Sequence, residues 1–484
     1  MGARTGEEFL KGLRTNTREL WLGNERVDDP TEHPALAGGA RSLARVFDVQ
    51  HEFPDDCLMP DPETGESINV SHMIPRSKED IKRRHVGLTR ISEETVGLMG
   101  RTPDYMNVTY AGFAGDLDRW AGPDRSNAEG AENLKNYQKF VARQDISLTH
   151  TIVHPSTDKT KGEIYQGAEI PLHKVGETEH GIIVRGARIL STLAPFADEL
   201  AVYPAMPLPP IEDVAKYALA FCIPMNTPGL IFLCRDSAST PESNQFDRPL
   251  SSRFDEQDAF IIYDNVEVPW DRLHINGNVE VYSTVMMFSP WWPNIMQQTT
   301  IRALTKLEFA YGLASKMARM VNDTSPHTVD LLGELWGYVE ITRNAVLLAE
   351  EHAHDYGSGA WFPDGRALHP MRAQLATWMP RAKEILLIIG SHNLLANPSR
   401  AMLDDARLRP MIDEFMLGAN GVSAEERAAV FRLAWDFCGS ALAGRNDLYE
   451  RNYLASSKTN HGMTEMLYAD RTRAFRLVDK MLGK

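Results

Sequence analysis

Cysteine is scarce in this chain: its 484 residues include four, Cys57, Cys222, Cys234 and Cys438. They are widely spaced and form no CxxC pair, which excludes a disulfide frame or a thiolate zinc site and suits buried thiols in a reducing cytoplasm. Long hydrophobic runs are also missing. The longest strongly apolar stretch, Ile385-Leu386-Leu387-Ile388-Ile389, is far short of a membrane span. Met1 leads into Arg4, Glu7 and Glu8 with no apolar signal segment, so a cytoplasmic protein without membrane contact is expected. Positive charge is in deficit, with 51 Lys and Arg against 66 Asp and Glu and a formal net charge of -15. That balance argues against a nucleic-acid surface, and no basic cluster suggests an anionic-membrane patch. Small molecules and protein are the expected partners.

Several site signatures are absent as well. His352-Ala353-His354 lacks the HExxH spacing, and residues two apart on a helix face different directions, so no metal site is expected. Gly439 to Gly444 has the look of a phosphate loop, yet Arg445-Asn446 stands in place of the required Lys-Ser/Thr. No GxGxxG fingerprint, internal repeat or low-complexity tract is found.

What is present is an ordinary globular composition, 43% hydrophobic, over a length that suggests about three domains. Residues 1–145 read as mostly helical, with Ser77-Lys78-Glu79-Asp80 as a helix start. Residues 146–280 change character. Gly181-Ile182-Ile183-Val184-Arg185-Gly186 and Tyr217 to Ile223 are short β-type runs, and Asn226-Thr227-Pro228-Gly229 is a turn. Residues 281–484 return to long helical periodicities, Thr299 to Met320, Val329 to Tyr356 and Ala373 to Leu395, and Ser423 with Glu426 forms a plausible capping box. The fold class is α+β: helices, a β domain, then a four-helix-bundle-type domain.

The densest chemical signal is Gly100-Arg101-Thr102-Pro103-Asp104-Tyr105. Arg101 carries a fixed cation with a rigid fork of donors, and the Tyr105 phenol donates or accepts a hydrogen bond. Pro103 pushes Thr102 out of helical geometry and Gly100 permits unusual backbone angles, so the segment reads as a shaped loop after a helix. Taken alone it is either a surface turn with a solvated Arg or a site for a small anion.

Four further stretches occur in order: Thr149-His150-Thr151-Ile152-Val153-His154-Pro155, Pro249-Leu250-Ser251-Ser252-Arg253-Phe254-Asp255-Glu256, Val268-Pro269-Trp270 and Asp447-Leu448-Tyr449-Glu450-Arg451. With the first motif they resemble the 4-hydroxyphenylacetate 3-monooxygenase oxygenase-component family, two-component, reduced-flavin-dependent phenol hydroxylases, across nearly the whole chain. The resemblance implies an acyl-CoA dehydrogenase-like fold with a central β-barrel domain, commonly assembled as a homotetramer. It implies FAD, taken up as FADH2 from a separate NAD(P)H:flavin reductase, with O2 as co-substrate and a C4a-hydroperoxide as the electrophile that hydroxylates a phenolic substrate ortho to its hydroxyl.

By the same resemblance Arg101, Tyr105 and His150 are the catalytic residues around the phenolic hydroxyl. The flavin is expected at His150, Thr151 and Ile152, at Ser156, Thr157, Asp158 and Lys159, at Thr192, and at Ala455, Ser456, Ser457 and Lys458, although this last segment departs from the family's Gly-Asp-Pro-like pattern. Arg253 with Asp255 and Glu256 reads instead as a structural loop.

The substrate side differs from the family. The small hydroxyl residues that contact substrate in the hydroxyphenylacetate enzymes fall near Ala205 and Met206, neither of which binds a carboxylate. Asn294 stands where some halophenol-type relatives carry a histidine base, and Trp291 and Trp292 either wall an aromatic pocket or belong to the core. Ala205, Met206, Trp292 and Asn294 are therefore the candidate substrate contacts, and the expected substrate is a bulkier or less charged phenol than free 4-hydroxyphenylacetate. An acyl-CoA dehydrogenase-like flavoprotein, a 4-hydroxybutyryl-CoA dehydratase-like enzyme and a non-catalytic relative are the alternatives.

Overall fold

Capping chemistry sets the first helices. In this computed structural model, which describes residues 2–162, 164, 169–204, 206–240, 244–287, 289–453 and 455–483, Ser77 caps helix Lys78–Glu94 by accepting from the Asp80 amide. Thr102 sits at φ -50°, ψ 155°, and Pro103 behind it opens helix Pro103–Ala114. Asp104 and Tyr105 thus ride in a helical first turn rather than in a loop. Nearly every residue of this helix is buried, so it is a core rod with no solvent face.

The first 145 residues also contribute strands: β1 (Glu19–Leu22), β2 (Glu25–Arg26) and the hairpin β3 (Leu58–Pro60) with β4 (Ser67–Asn69). The central part holds β5 (Leu148–Thr151), β6 (His173–Glu177), β7 (Gly181–Thr192), β8 (Glu199–Val202), β9 (Leu219–Pro224), β10 (Leu230–Cys234), β11 (Asp258–Pro269) and β12 (Leu273–Asn276). A six-stranded sheet runs β2-β1-β10-β11-β7-β6, and a four-stranded sheet runs β12-β9-β8-β5. β1 pairs in parallel with β10, so the amino-terminal region completes the central sheet.

The β barrel expected from the resemblance is not what the described residues form. The two sheets face one another across a shared core that includes Ile182, Ile261 and Phe232 from one and Leu200, Phe221 and Ile223 from the other. They meet where the Thr149 hydroxyl donates to the Thr192 carbonyl at 2.6 Å and Val153 bridges Ile189. Beyond that seam the outer edges stay unpaired among the described residues. Register shifts at Ala259/Ile261 and Tyr263/Val266 bend the long β7–β11 pair, and the 3-10 turn Ala194–Phe196 carries the chain out of one sheet into the other.

The last third packs helices Trp291–Met320, Pro326–Glu351, Gly365–Gly390, Ala424–Cys438, Ala441–Asn452 and Ser457–Tyr468. Ser423 accepts from the Glu426 amide at the head of one of them. The 30-residue helix Trp291–Met320 buries polar side chains as well as apolar ones. Arg302 grips Glu450 with two bonds of 2.7 and 2.9 Å, and Lys306 adds a third at 2.8 Å. Burial opposes that carboxylate, yet the two cations hold it well below the usual carboxylate range. Glu450 is therefore a buried post that fixes helix Ala441–Asn452, and with it Tyr449 and Tyr453. Among the described residues no helix is long and apolar enough to cross a membrane.

Candidate active site

Arg101, Tyr105 and His150 are brought together, although they come from a loop, a helix and a strand. All three are buried. The Arg101 guanidinium lies over the Tyr105 ring, 3.8 Å from its centroid, a cation–π arrangement strengthened by loss of water. His150, on β5, is sandwiched: its ring stacks on Tyr105 at 5.4 Å and 25°, and on Tyr203 at 5.5 Å and 17°. Burial, with the nearby Arg101 cation, pushes the His150 pKa well below its ordinary value, so the imidazole is neutral at pH 7. Its Nδ1 has no hydrogen-bond partner, and neither has Nη1 of Arg101. Unpartnered polar atoms in a buried place are costly and point to a polar group that belongs there.

A second wall comes from helix Ala441–Asn452 and its end. Tyr449 and Tyr453 stack at 4.3 Å, and the Arg101 guanidinium sits 5.7 and 5.1 Å from their centroids. The buried Tyr449 hydroxyl is unpartnered. Gly100 is required by this wall, because a Cβ there would overlap the Tyr449 hydroxyl. Its φ lies outside the left-handed region, so close approach is the reason for glycine, and not the unusual backbone angle that the sequence suggested.

The Glu256 carboxylate sits behind Arg101, accepting from its amide through Oε1 at 2.5 Å and from Arg445 through Oε2 at 2.7 Å. Arg445 also pairs with Asp258, which accepts from the Thr192 hydroxyl at 2.8 Å. The segment read as a structural loop therefore supplies the carboxylate that holds the site's central arginine. Arg253 itself donates to the Pro249 carbonyl.

The residues expected at a flavin divide into two kinds. Buried Thr151 donates its hydroxyl to the Ile189 carbonyl, and the Ile152 carbonyl accepts from Arg188 at 2.6 Å, so the end of β5 is held rigidly. Thr192 is buried with its hydroxyl engaged by Asp258. Ser156, Thr157 and Lys159 are exposed and Asp158 half-buried; the Asp158 carboxylate accepts from the Thr160 amide and hydroxyl. Ala455, at φ 66°, precedes Ser456, which caps helix Ser457–Tyr468, and Ser457 donates to the Ala373 carbonyl. Lys458 is exposed. A polar, accessible loop beside a fixed strand end and unpartnered buried donors suits a flavin bound by ring and phosphates.

On the substrate side Ala205 lies outside the described residues, and Met206 is 67% exposed. Asn294 is not brought to the group. It is fully buried, its Nδ2 donates to the Val108 carbonyl and its Oδ1 accepts from Arg84, so its amide braces two helices. Trp291 is core, packed on Phe113 and Tyr203. Trp292 is half-buried, donates to the Met286 carbonyl at 2.8 Å and carries Arg372 over its face at 4.4 Å. Tyr203, Tyr453 and Arg372 were invisible in the sequence, since no local motif marks them. Among the described residues no three His, Cys, Asp or Glu side chains gather to hold a metal ion.

Known proteins match this chain along nearly its whole length. A family model described as 4-hydroxyphenylacetate 3-hydroxylase N terminal matches residues 5–275, and one described as 4-hydroxyphenylacetate 3-hydroxylase C terminal matches residues 286–483. The chain is 36% identical over 451 residues to a 4-hydroxyphenylacetate 3-monooxygenase oxygenase component of Thermus thermophilus, covering 93% of this chain and 91% of that one. It is 31% identical to a 4-nitrophenol 2-monooxygenase oxygenase component of a Rhodococcus species, covering 93% and 85%. A crystal structure of the oxygenase component of 4-hydroxyphenylacetate 3-monooxygenase complexed with FAD superposes with a TM-score of 0.92 over 100% of both chains at 34% identity.

Proposed function

The chain belongs to the 4-hydroxyphenylacetate 3-hydroxylase family, and on that premise we propose that it is the oxygenase component of a two-component, flavin-dependent aromatic monooxygenase. It hydroxylates a phenol ortho to its hydroxyl, using O2 and reduced FAD delivered by a separate NAD(P)H:flavin reductase. When bound, the reduced flavin supplies the electrons that activate oxygen, which no ordinary side chain does.

The observation that carries the reading is His150 fixed between Tyr105 and Tyr203, with an unpartnered ring nitrogen near the Arg101 guanidinium, whose Nη1 is also unpartnered. A phenol placed against them shares its proton with the neutral imidazole, and Arg101 stabilises the charge that grows on its oxygen. Tyr105 orients that oxygen as a second hydrogen-bond partner. Sharing the proton enriches the ortho carbon in electrons, which is what an electrophilic oxygen donor needs. Burial of all three groups excludes water from the reacting pair.

The flavin is held by backbone and side chains at His150, Thr151 and Ile152, at the loop Ser156 to Lys159, near Thr192, and at Ala455 to Lys458. The units are 1–145, 146–280 and 281–484, assembled as a cytoplasmic homotetramer in an acyl-CoA dehydrogenase-like arrangement. Trp292 contributes to the wall facing the substituent of the ring, and Met206, apolar and exposed, offers nothing to a carboxylate. The substrate is accordingly a phenol without a free carboxylate.

Reduced FAD mixed with O2 and a panel of phenols tests this. An ortho-diol product with a stoichiometric share of the O2 consumed is expected. Oxygen consumption without any hydroxylated product would overturn the activity, and a clear preference for free 4-hydroxyphenylacetate would overturn the substrate class.

A further inference from the structure

A cavity of about 170 Å³ lies beside the site, walled by Met287, Trp292, His369, Met463, Met466 and Tyr468 among others. Two of its walls are helices: Gly365–Gly390 carries His369, and Ser457–Tyr468 covers it with two methionines and a tyrosine. Its connection to the reaction site is physical. Arg372, one turn beyond His369 and buried, lies over the Trp292 indole, and its charge acts on the hydroxyls of Tyr105, Tyr453 and Tyr468. Tyr105 and Tyr453 belong to the site, while Trp292 and Tyr468 belong to the cavity. Trp292 also packs on Trp291 at 4.4 Å, and Trp291 on Tyr203 at 6.4 Å.

The lining is chemically selective. Thioethers and aromatic faces favour apolar groups and adapt to irregular shapes. The indole of Trp292 covers one face of the Arg372 guanidinium. One polar atom stands out: Nε2 of His369, in a side chain only 2% exposed, has no partner. The other ring nitrogen, Nδ1, lies 3.3 Å from the Gly365 carbonyl, which can only accept, and 3.0 Å from the Tyr468 hydroxyl. The tautomer with hydrogen on Nδ1 serves that carbonyl and leaves Nε2 as a lone pair. Burial and Arg372 lower the His369 pKa to about 4, so the ring is neutral at pH 7.

We infer that this cavity is the subsite for the ring substituent of the phenol, and that it takes an uncharged, mostly apolar chain bearing one hydrogen-bond donor, an amide N–H or a hydroxyl, received by Nε2 of His369. The inference rests on the proposed phenol site and adds the chemistry of the substrate's other end. A carboxylate is disfavoured there because it would give up its water among thioethers and aromatic faces and meet the lone pair of Nε2 instead of a donor at that nitrogen.

The test is equilibrium binding by calorimetry to the flavin-free protein, with phenol, 4-hydroxyphenylacetate and N-methyl-4-hydroxyphenylacetamide as probes. The amide should bind at least about tenfold more tightly than either of the others. His369→Leu, which removes the acceptor, and Met463→Trp, which fills the space, should each bring that ratio below about threefold. Thermal melting identifies a variant that fails to fold, and the other variant with the wild-type ratio then decides. Equal affinity for amide and carboxylate, or a ratio that survives substitution, would overturn the inference. Hydroxylation with reduced FAD is assayed separately. Selective amide binding without any diol product refutes the monooxygenase reading and leaves the subsite standing, whereas hydroxylation without amide selectivity does the reverse.

Discussion

Glu256 holds Arg101 by its backbone: the carboxylate Oε1 accepts from the Arg101 amide at 2.5 Å while Oε2 receives Arg445 at 2.7 Å. The cation proposed to face the phenol is thus placed by a buried carboxylate that touches its main chain, leaving the guanidinium free to lie over Tyr105. Glu256→Gln retains an acceptor for the amide and loses the ion pair, so it should cost about 1–3 kcal/mol of stability. Glu256→Ala should cost about 3–5 kcal/mol, because a partner of a buried ion pair is left uncompensated. Urea unfolding measures both, and equal stability of the two variants would contradict the role given to Oε1.

Arg101→Lys keeps the charge and loses the flat fork over the Tyr105 ring. Product formed per O2 consumed should fall steeply while oxygen consumption persists. His150→Ala should slow hydroxylation by about 10²- to 10⁴-fold, the usual worth of a positioned acid–base group. Unchanged coupling in either variant would count against the site.

Tyr203 orients His150 through ring stacking. Tyr203→Phe keeps the stack and should leave hydroxylation close to wild type, whereas Tyr203→Leu should forfeit about 0.5–1.5 kcal/mol of placement and raise uncoupled peroxide release. Comparison of peroxide yield per O2 in the two variants checks this, and similar yields would show that the stack does not position the imidazole.

Acid should weaken the fold before most carboxylates titrate. His150, His154, His274 and His369 are buried, and desolvation lowers each pKa: His154 to about 2, His274 to about 3, His369 to about 4 and His150 well below the ordinary value. The unfolded chain takes up these protons near pH 6.5 and the folded chain refuses them, so stability is present above that pH and is lost on descent, by up to about 1.4 kcal/mol per pH unit for each group. Asp104 acts in the opposite sense, since burial pushes its pKa up to about 6 and the folded state is protonated first. Burial raises Glu199 as well, and four histidines outweigh two carboxyls. The melting temperature should drop between pH 7 and pH 5.5, and calorimetry showing a flat or rising trend would be incompatible with neutral buried imidazoles.

Much of this site is legible in the chain because its chemistry is local. Ser77 and Pro103 announce helix starts through caps that depend on a few neighbours, and Arg101 to Tyr105 is a contiguous motif. What escaped is non-local. Tyr203 follows an apolar strand and is one more tyrosine until β5 lays His150 against it. Asn294 looked like a pocket residue, yet Arg84, 210 positions away, claims its carbonyl oxygen. Glu256 looked structural because its partner is 155 positions upstream. The open sheets escaped for a similar reason: alternation gives strands, while closure depends on register shifts and edges that periodicity does not encode.

The chain of contacts from the Arg101 amide through the Glu256 carboxylate to Arg445 has a consequence in time. Its members enter the growing polypeptide in that order, separated by 155 and 189 residues. The proposed site therefore cannot be completed until Arg445 has left the ribosome, by which point the sheets and most of the bundle that shield it have already been made.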